Sequence, residues 1–218
     1  MASTSLGQRI AIWVIAAVLT VGTLVSFVAV IIANENQQTQ QARANELYAA
    51  YEKELDAYQK KLDAQAATLS EKYFGQFSQY AARVSAFDAE SVSELKVEDL
   101  KVGEGERITK ESSFTAYYIG WNPTGKIFDQ SIEGDHLKPP FSVVPGGVIQ
   151  GWTEGVDGMK IGGIRELTIP ANKAYGDQAV SDDIPANTPL KFIIMIIPTP
   201  EVIEQPQPSE ELLQLYSS

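Results

Sequence analysis

Hydrophobic side chains follow three successive patterns along the 218 residues of the chain. Residues 10–33 form one uncharged apolar run, residues 34–90 repeat apolar positions at intervals of three and four, and residues 91–198 alternate between apolar and polar. Intervals of three and four place side chains on one face of a helix, whereas alternation places them on one face of a strand. The chain therefore predicts an apolar span, a long helical stalk and a β-rich domain, in that order.

The first pattern predicts a transmembrane helix over residues 10–33. The run carries no charge, and about 20 such residues suffice to cross a bilayer. A cleaved signal peptide has a shorter apolar region of about 7–15 residues that ends in small residues, and it fits the run less well. Arg9 precedes the run and Glu35 is the first charge after it, so the positive-inside bias places residues 1–9 in the cytoplasm. The chain is therefore predicted to be a single-pass membrane protein whose β-rich domain lies outside the cytoplasm.

The second pattern predicts one long helical stalk over residues 34–90, with Gly75 as a candidate break. Its apolar stripe consists of Tyr48, Tyr51, Leu55, Tyr58, Leu62 and Leu69, and resumes with Phe77, Tyr80, Val84 and Phe87. Two structures fit this spacing: a solvated spacer helix, and a coiled coil that pairs two copies into a homodimer. Several tyrosines and Gln65 make a weak seam, and this favours the spacer.

The third pattern predicts six strands separated by turn residues. They cover residues 95–102, 113–120, 126–129, 141–144, 163–169 and 190–197. Residues 133–136 are predicted as a loop in which His136 is a solvated side chain. The last strand is apolar on both faces, because Ile193, Met195 and Ile197 occupy its second face. We therefore expect its outward face to pack against another part of the protein.

A short apolar helix is predicted over residues 148–156, between the fourth and fifth strands. Val148, Ile149, Trp152 and Val156 lie on one stripe of this helix. So short a helix is unstable alone, and the neighbouring strands must wrap around it. The predicted fold class is α+β.

Composition excludes several classes of function. The net charge of −11 provides no basic surface for nucleic acid. The chain has no cysteine and a single histidine, so we predict no thiolate chemistry, no metal site and no cofactor. Residues 199–218 contain Pro200, Pro206, Pro208 and four acidic residues. They are predicted to form a disordered acidic tail in which residues 209–216 form one transient helical turn.

Five short motifs in the β-rich region resemble one known family. They are Tyr-x-Gly at 118–120, Gly-Lys-x-Phe-Asp at 125–129, Val-Ile-x-Gly-Trp at 148–152, Ala-Tyr-Gly at 174–176 and Ile-Pro-x-Asn-x-x-Leu-x-Phe at 184–192. In this order and spacing they resemble the FKBP-type peptidyl-prolyl cis-trans isomerases, over about half of the chain. The family fold is a curved antiparallel β-sheet wrapped around one short helix. Here a transmembrane helix and a helical stalk would precede it.

The resemblance implies a proline pocket lined by aromatic rings. Its catalytic residues would be Tyr118, Asp129, Trp152, Tyr175 and Phe192, and its substrate-binding residues Phe128, Phe141, Val148, Ile149 and Ile184. Trp152 would be the floor of the pocket, and Ile184 would cover its mouth. The backbone N–H of Ile149 and the hydroxyl of Tyr175 would hold carbonyl groups of the ligand.

Each of these residues also has a purely structural interpretation. Aromatic side chains in alternating strands usually form a hydrophobic core, and Asp129 alone fits a turn or capping residue. The joint match of Trp152, Tyr175 and Asp129 to the family motifs favours a pocket instead. In that pocket Asp129 would orient Tyr118 rather than transfer a proton.

Three functions remain open at this point. The first is a membrane-anchored prolyl isomerase that accelerates the folding of exported, proline-containing polypeptides. The second is a membrane-tethered chaperone or peptide-binding module whose turnover is incidental. The third is a spacer that bridges layers of a cell envelope. The loop over residues 177–183 carries three acidic side chains, so the residue preferred before proline is not predicted.

Overall fold

A six-stranded antiparallel sheet forms the centre of the structure, a computed structural model that describes residues 37–217. Its strands are β1 (Lys96–Lys101), β2 (Phe114–Trp121), β3 (Ile127–Gln130), β6 (Phe141–Val143), β7 (Ile164–Ile169) and β8 (Leu190–Ile197). The order is β1-β7-β8-β2-β3, and β6 pairs with the part of β2 that β3 leaves free. The six predicted strands are confirmed, with boundaries that move by no more than one residue.

Two further strands correct the prediction of a loop over residues 133–136. β4 (Ile132–Glu133) and β5 (His136–Leu137) form a separate antiparallel pair. Leu137 anchors the pair, because it is 2% exposed and its N–H donates to Ser70 Oγ at 2.8 Å. The imidazole of His136 is solvated as predicted, with 55% of the side chain exposed.

The inner face of the sheet packs against the central helix, Gln150–Gly155. Ile149 has an extended backbone, so the helix begins two residues later than predicted. Trp152 and Val156 join the inner side chains of β7 and β8 in one core cluster. A Cβ atom on Gly151 would lie 2.3 Å from the side chain of Ile169, so glycine permits the close approach of helix and strand. The predicted α+β arrangement is confirmed.

The C-terminal end of the central helix is held by Arg165 on β7. Its Nη1 donates to the Gly155 carbonyl at 2.7 Å, and its Nε donates to Asp99 of β1 at 2.7 Å. A cation at this end of a helix satisfies carbonyls that lack an intrahelical partner. The helix that carries Trp152 is thereby fixed to two strands.

The outer face of the sheet is covered by the end of the stalk helix, Gln37–Ser78. Tyr73 and Phe77 are 8% and 0% exposed. They pack on a cluster of outer-face side chains that includes Tyr117, Ile119, Trp121, Ile193, Met195 and Ile197. The expectation that the outward face of the last strand is covered is therefore confirmed.

The stalk differs from its predicted form in where it ends. The helix continues through Gly75, stops at Ser78 and is followed by a 3-10 helix, Gln79–Arg83. Val84 and Phe87 lie beyond both helices and pack on the same outer cluster. The physical reason is that the sheet, rather than a second helix, receives the apolar side chains of this segment. Residues 63–201 form one compact unit, and of the other described residues 37–62 form a second unit with residues 202–217.

A charged network fastens the 3-10 helix to the outer face. Arg83 Nε donates to Glu166 Oε2 at 2.7 Å, and Lys191 Nζ donates to Glu166 Oε1 at 3.0 Å. The Glu166 side chain is 8% exposed, and a carboxylate at that depth requires such cationic partners. Arg83 also pairs with the exposed Glu98 at 2.8 Å.

The C-terminal segment has more regular structure than predicted. It contains a second short helix, the tail helix Glu210–Ser217. Ser209 caps it, because its Oγ accepts a hydrogen bond from the Leu212 N–H at 3.2 Å. Glu210 and Glu211 lie in the first turn, where the helix dipole favours negative charge. Residues 198–209 have no helix or strand.

Two predictions concern residues that the structure does not describe. The cytoplasmic tail over residues 1–9 and the transmembrane helix over residues 10–33 lie outside residues 37–217. Within that described range, no helix has both the length and the apolar character needed to span a membrane. Pairing of the stalk with a second copy stays a prediction.

Tyr117→Phe should raise the free energy of unfolding by about 1–3 kcal/mol, because it removes a buried hydroxyl without a partner. Among the described residues, Tyr117 is 0% exposed and its hydroxyl has no hydrogen-bond partner. Burial and the neighbouring Tyr73 raise the pKa of Tyr117 to about 12. Urea unfolding of both proteins at neutral pH measures the difference.

Tyr117→Phe should also change how the free energy of unfolding depends on pH at alkaline pH. In the unfolded chain the pKa of a tyrosine is about 10. This value is lower than the pKa of Tyr117 in the folded chain. As pH rises from about 10 to about 12, the unfolded state loses its proton first, so the native state is destabilised. Tyr117→Phe should therefore lose less stability over this interval than the unmodified chain. An equal loss of stability in both proteins would show that the titration of Tyr117 does not cause it.

Candidate active site

Five aromatic rings from five different elements lie in contact on the inner face. Trp152 of the central helix has ring centroids 5.5 Å from Tyr118 of β2 and 5.3 Å from Phe192 of β8. Phe128 of β3 lies 5.6 Å from Phe192, and Phe141 of β6 lies 5.8 Å from Tyr118. All four pairs meet edge to face, an arrangement that aromatic quadrupoles favour. The structure thus brings Trp152, the predicted floor, together with four other aromatic residues predicted to line the pocket.

Successive side chains of β2 point to opposite faces of the sheet, and this explains which of its aromatic rings reach the inner face. Tyr117 and Ile119 point to the outer cluster, whereas Tyr118 packs with the inner one. Gly120 follows on the inner side, where a Cβ atom would lie 2.6 Å from Phe192 and 2.8 Å from Phe128. The absence of a side chain at this position therefore leaves the space that these two rings occupy.

A short hydrogen bond joins Tyr118 to Asp129. The Tyr118 hydroxyl donates to Asp129 Oδ2 at 2.5 Å, while Asp129 Oδ1 accepts from the Gln130 N–H at 2.8 Å. Burial, and then the Asp129 carboxylate, raise the pKa of Tyr118. Tyr118 therefore stays protonated at neutral pH and holds its hydroxyl toward the carboxylate. The structure places Asp129 where it orients Tyr118.

Tyr175 lies at the edge of this group and remains accessible. It is 39% exposed, and burial of its hydroxyl followed by the charge of Asp129 raises its pKa. The Tyr175 hydroxyl is therefore a protonated donor at neutral pH. Phe141 is also 39% exposed, whereas Trp152 is 4% exposed. The site thus has a covered indole floor and an accessible aromatic rim.

The backbone of Ile149 supplies a second donor. Its carbonyl accepts the first hydrogen bonds of the central helix, from Trp152 N at 3.0 Å and Thr153 N at 3.3 Å. Among residues 37–217, no acceptor is bound to the Ile149 N–H. Val148 and Ile149 are half-buried and pack against the inner cluster beside Trp152. This N–H can therefore receive a carbonyl from a ligand.

Ile184 is 4% exposed and belongs to the inner core cluster that also contains Trp152 and Phe192. Its role as a cover of the pocket mouth stays a prediction. The long loop that carries it is fixed by Asn122, whose Nδ2 donates to the Asp183 carbonyl at 2.9 Å. Lys126 also pairs with Asp183 at 2.6 Å. These contacts hold the loop that carries Ile184 against the sheet.

Ser131 is a residue of this site that the sequence did not reveal. Its Oγ accepts from the Tyr118 N–H at 2.9 Å, and its N–H donates to the Tyr118 carbonyl at 2.8 Å. Its own carbonyl accepts from Lys138 N at 2.8 Å and so is turned toward another part of the chain. The hydroxyl thus replaces a backbone carbonyl in the ladder beside Tyr118. A serine two residues after Asp129 is the sole sequence signal for this role.

Ser131→Ala should lower the free energy of unfolding by about 1–3 kcal/mol, because it leaves the partly buried N–H of Tyr118 without an acceptor. Ser131 is 4% exposed. Ser142→Ala is a matched control, because Ser142 is exposed on the neighbouring β6. Urea unfolding measures the loss, and hydrogen exchange should show weaker protection of the Tyr118 amide in the Ser131 variant alone. Equal behaviour of the two variants would show that the hydroxyl has no such role.

Comparisons with known proteins identify the family to which this chain belongs. The family model for FKBP-type peptidyl-prolyl cis-trans isomerase matches residues 104–197. An FK506-binding protein of Neisseria meningitidis serogroup A is 37% identical over 105 residues, which cover 47% of this chain and 94% of that protein. This chain belongs to the family of FKBP-type peptidyl-prolyl cis-trans isomerases. The resemblance of its five motifs is thereby confirmed.

Other relatives are longer proteins. FK506-binding protein 4 of Rhizopus delemar is 42% identical over 105 residues, which cover 47% of this chain and 26% of that protein. The peptidyl-prolyl cis-trans isomerase of Saccharomyces cerevisiae is 40% identical over 104 residues, covering 47% and 24%. The chain thus spans about a quarter of the length of these fungal relatives. A solved peptidyl-prolyl cis-trans isomerase from Pseudomonas syringae is 28% identical and covers 60% of this chain and 96% of its own, with a TM-score of 0.43.

Proposed function

We propose that the chain is a peptidyl-prolyl cis-trans isomerase whose substrate proline binds against Trp152. The observation that carries this proposal is the pair of Tyr118 and Asp129, joined at 2.5 Å beside the ring cluster in a member of this family. The rings provide an apolar surface for the pyrrolidine ring. The Ile149 N–H and the Tyr175 hydroxyl are donors for the flanking carbonyl groups.

The reaction needs no nucleophile and no proton transfer. Rotation about the prolyl amide is slow because resonance gives the bond partial double-bond character, with a barrier of about 18–20 kcal/mol. In the twisted transition state this resonance is lost, and the amide carries less charge separation than in its planar form. A site walled by rings stabilises the twisted amide relative to the planar one, which water solvates better. About 4 kcal/mol of such preference corresponds to a thousandfold acceleration.

A protease-coupled assay with a short Xaa-Pro peptide tests the proposal on the full chain. The chain should accelerate conversion of the cis peptide, and Phe128→Ala should remove most of the acceleration because it takes away a wall of the site. Phe74→Ala is the matched control, since Phe74 packs with the outer cluster. Absence of acceleration, or equal loss in both variants, would refute the proposal.

We also infer that residues 10–33 anchor the chain in a membrane and that residues after 33 lie outside the cytoplasm. The uncharged apolar run and the position of Arg9 before it support this inference. The substrates would then be exported polypeptides that contain proline. Protease protection in cells, read on a tag after residue 218, distinguishes the two sides of the membrane. A tag protected in intact spheroplasts would overturn the inferred orientation.

A second candidate function is the binding of unfolded segments as a tethered chaperone. Large apolar side chains exposed on β6 and on the connections around the site favour it, among them Phe141 at 39%, Val144 at 59% and Val180 at 36%. Such exposed apolar groups are typical of surfaces that bind other chains. Suppression of aggregation that persists in Asp129→Ala would support this function, and its loss together with isomerase activity would argue against it.

A further inference from the structure

The C-terminal segment, residues 202–217, packs along the N-terminal part of the stalk helix. Arg43 donates to both carboxylate oxygens of Glu211, from Nε at 3.0 Å and from Nη2 at 3.0 Å. The Tyr51 hydroxyl lies 3.5 Å from the Pro206 carbonyl oxygen. As the segment proceeds from Pro206 to Glu211, its partners move back from Tyr51 to Arg43. The segment therefore runs antiparallel to the helix.

These contacts lie on the face of the helix that carries its apolar stripe. Arg43, Leu47 and Tyr51 are spaced by four residues and so lie above one another on that face. The stripe there consists of Leu47, Tyr48, Tyr51, Leu55, Tyr58 and Leu62, all of them half-buried. The segment that Arg43 and Tyr51 hold is thus seated on the stripe itself.

The tail helix presents one apolar face of its own. Leu212, which follows Glu211, is 2% exposed, and Leu215 on the same face is half-buried. Leu213 on another face is 51% exposed. A helix of two turns cannot bury a leucine by itself, so this face is packed. The Arg43–Glu211 pair places that packing at the stalk.

We propose that the stripe is a self-association surface for a second copy of this chain, and that residues 202–217 cover it within each copy. From Tyr48 to Leu62 the intervals of three and four are those of a coiled-coil seam. Its tyrosines make the seam weak, so a tethered tail can compete with a second copy for it. One face of a helix cannot receive both the tail and a second helix. A tethered segment competes at an effective concentration on the order of millimolar, so the covered form prevails at micromolar protein. Release or removal of the tail then permits pairing.

Sedimentation of the full chain and of a variant that lacks residues 202–218 tests the proposal, with all samples in the same detergent. The full chain should be monomeric at micromolar concentration, and the deleted variant should dimerise at least about tenfold more tightly. Leu55→Asp in the deleted background should restore the monomer, because it places a charge in the seam. Equal association of the full and deleted chains, whether both monomeric or both dimeric, would overturn the proposal.

Point variants test, without truncation, whether residues 202–217 cover the stripe. Glu211→Arg should shift the full chain toward the dimer, and Arg43→Glu combined with Glu211→Arg should reverse the shift by restoring the ion pair. The chain has no cysteine, so Ala50→Cys and Glu210→Cys give two unique spin-label sites. A single narrow distance distribution within one full chain is expected. A broad distribution would show that the tail does not cover the stalk, even if the deleted variant fails to fold.

Discussion

Phe77→Ala should lower the free energy of unfolding by about 3–5 kcal/mol, the usual loss when a buried aromatic side chain is removed. Phe77 is 0% exposed, and its ring centroid lies 6.3 Å from that of Tyr117. Its removal would leave a cavity between the stalk helix and the outer face of the sheet. Urea unfolding of the full chain, followed by tryptophan fluorescence, measures the change. Phe74→Ala, at a half-buried position three residues earlier, should cost less.

The same packing has a consequence for fragments of the chain. A fragment of residues 91–198 follows the predicted domain boundary, but it exposes outer-face side chains that are fully buried in the chain. They include Tyr117, Ile119, Trp121, Ile193 and Met195, each no more than 1% exposed. We expect this fragment to aggregate and a fragment of residues 63–201 to fold. A stable, monomeric 91–198 fragment would show that the stalk does not contribute to the domain.

Tyr118→Phe and Asp129→Asn should each reduce kcat/KM of the proposed isomerase by about 10- to 100-fold. Their hydrogen bond is short and involves a carboxylate, and such bonds contribute roughly 1.5–3 kcal/mol. Because the two side chains act as a unit, the double variant should be no slower than the slower single variant. The protease-coupled assay on all three variants measures this.

Tyr117→Phe is the matched control for that experiment. Tyr117 neighbours Tyr118 on β2 but faces the outer cluster, so its substitution should leave kcat/KM unchanged. Circular dichroism should show the native fold in every variant. Additive losses in the double variant would mean that Tyr118 and Asp129 act separately, and an equal loss in Tyr117→Phe would point to the strand rather than the site.

The strands and the central helix were predictable because their signals are local. Alternation with turn residues on both sides placed all six main strands within one residue, and the bounds of β8 were predicted as observed, at Leu190–Ile197. The stripe through Trp152 identified the helix around which the sheet packs. Trp152, Tyr118 and Asp129 could be brought together on paper because family motifs carry them, not because their spacing alone requires a pocket.

The remaining differences come from tertiary contacts that no local pattern reports. Phe77, Val84 and Phe87 repeat at helical spacing, yet the helix stops at Ser78 because the later residues reach the outer cluster without it. The loop that carries Ile184 is held by Asn122 from a distant turn, a contact that no local pattern predicted. Ser131 acts through a backbone N–H, and composition or periodicity does not record that kind of contact.

The position of the covering helix in the chain bears on how the protein is made. Residues 63–78 leave the ribosome before any strand, and β8, whose side chains pack on both faces of the sheet, leaves it last. Domains made in this direction acquire their N-terminal parts first. When the most apolar strand emerges, the helix that shields it from solvent is therefore already synthesised. Residues 63–78 can thus protect the nascent chain from aggregation through β8.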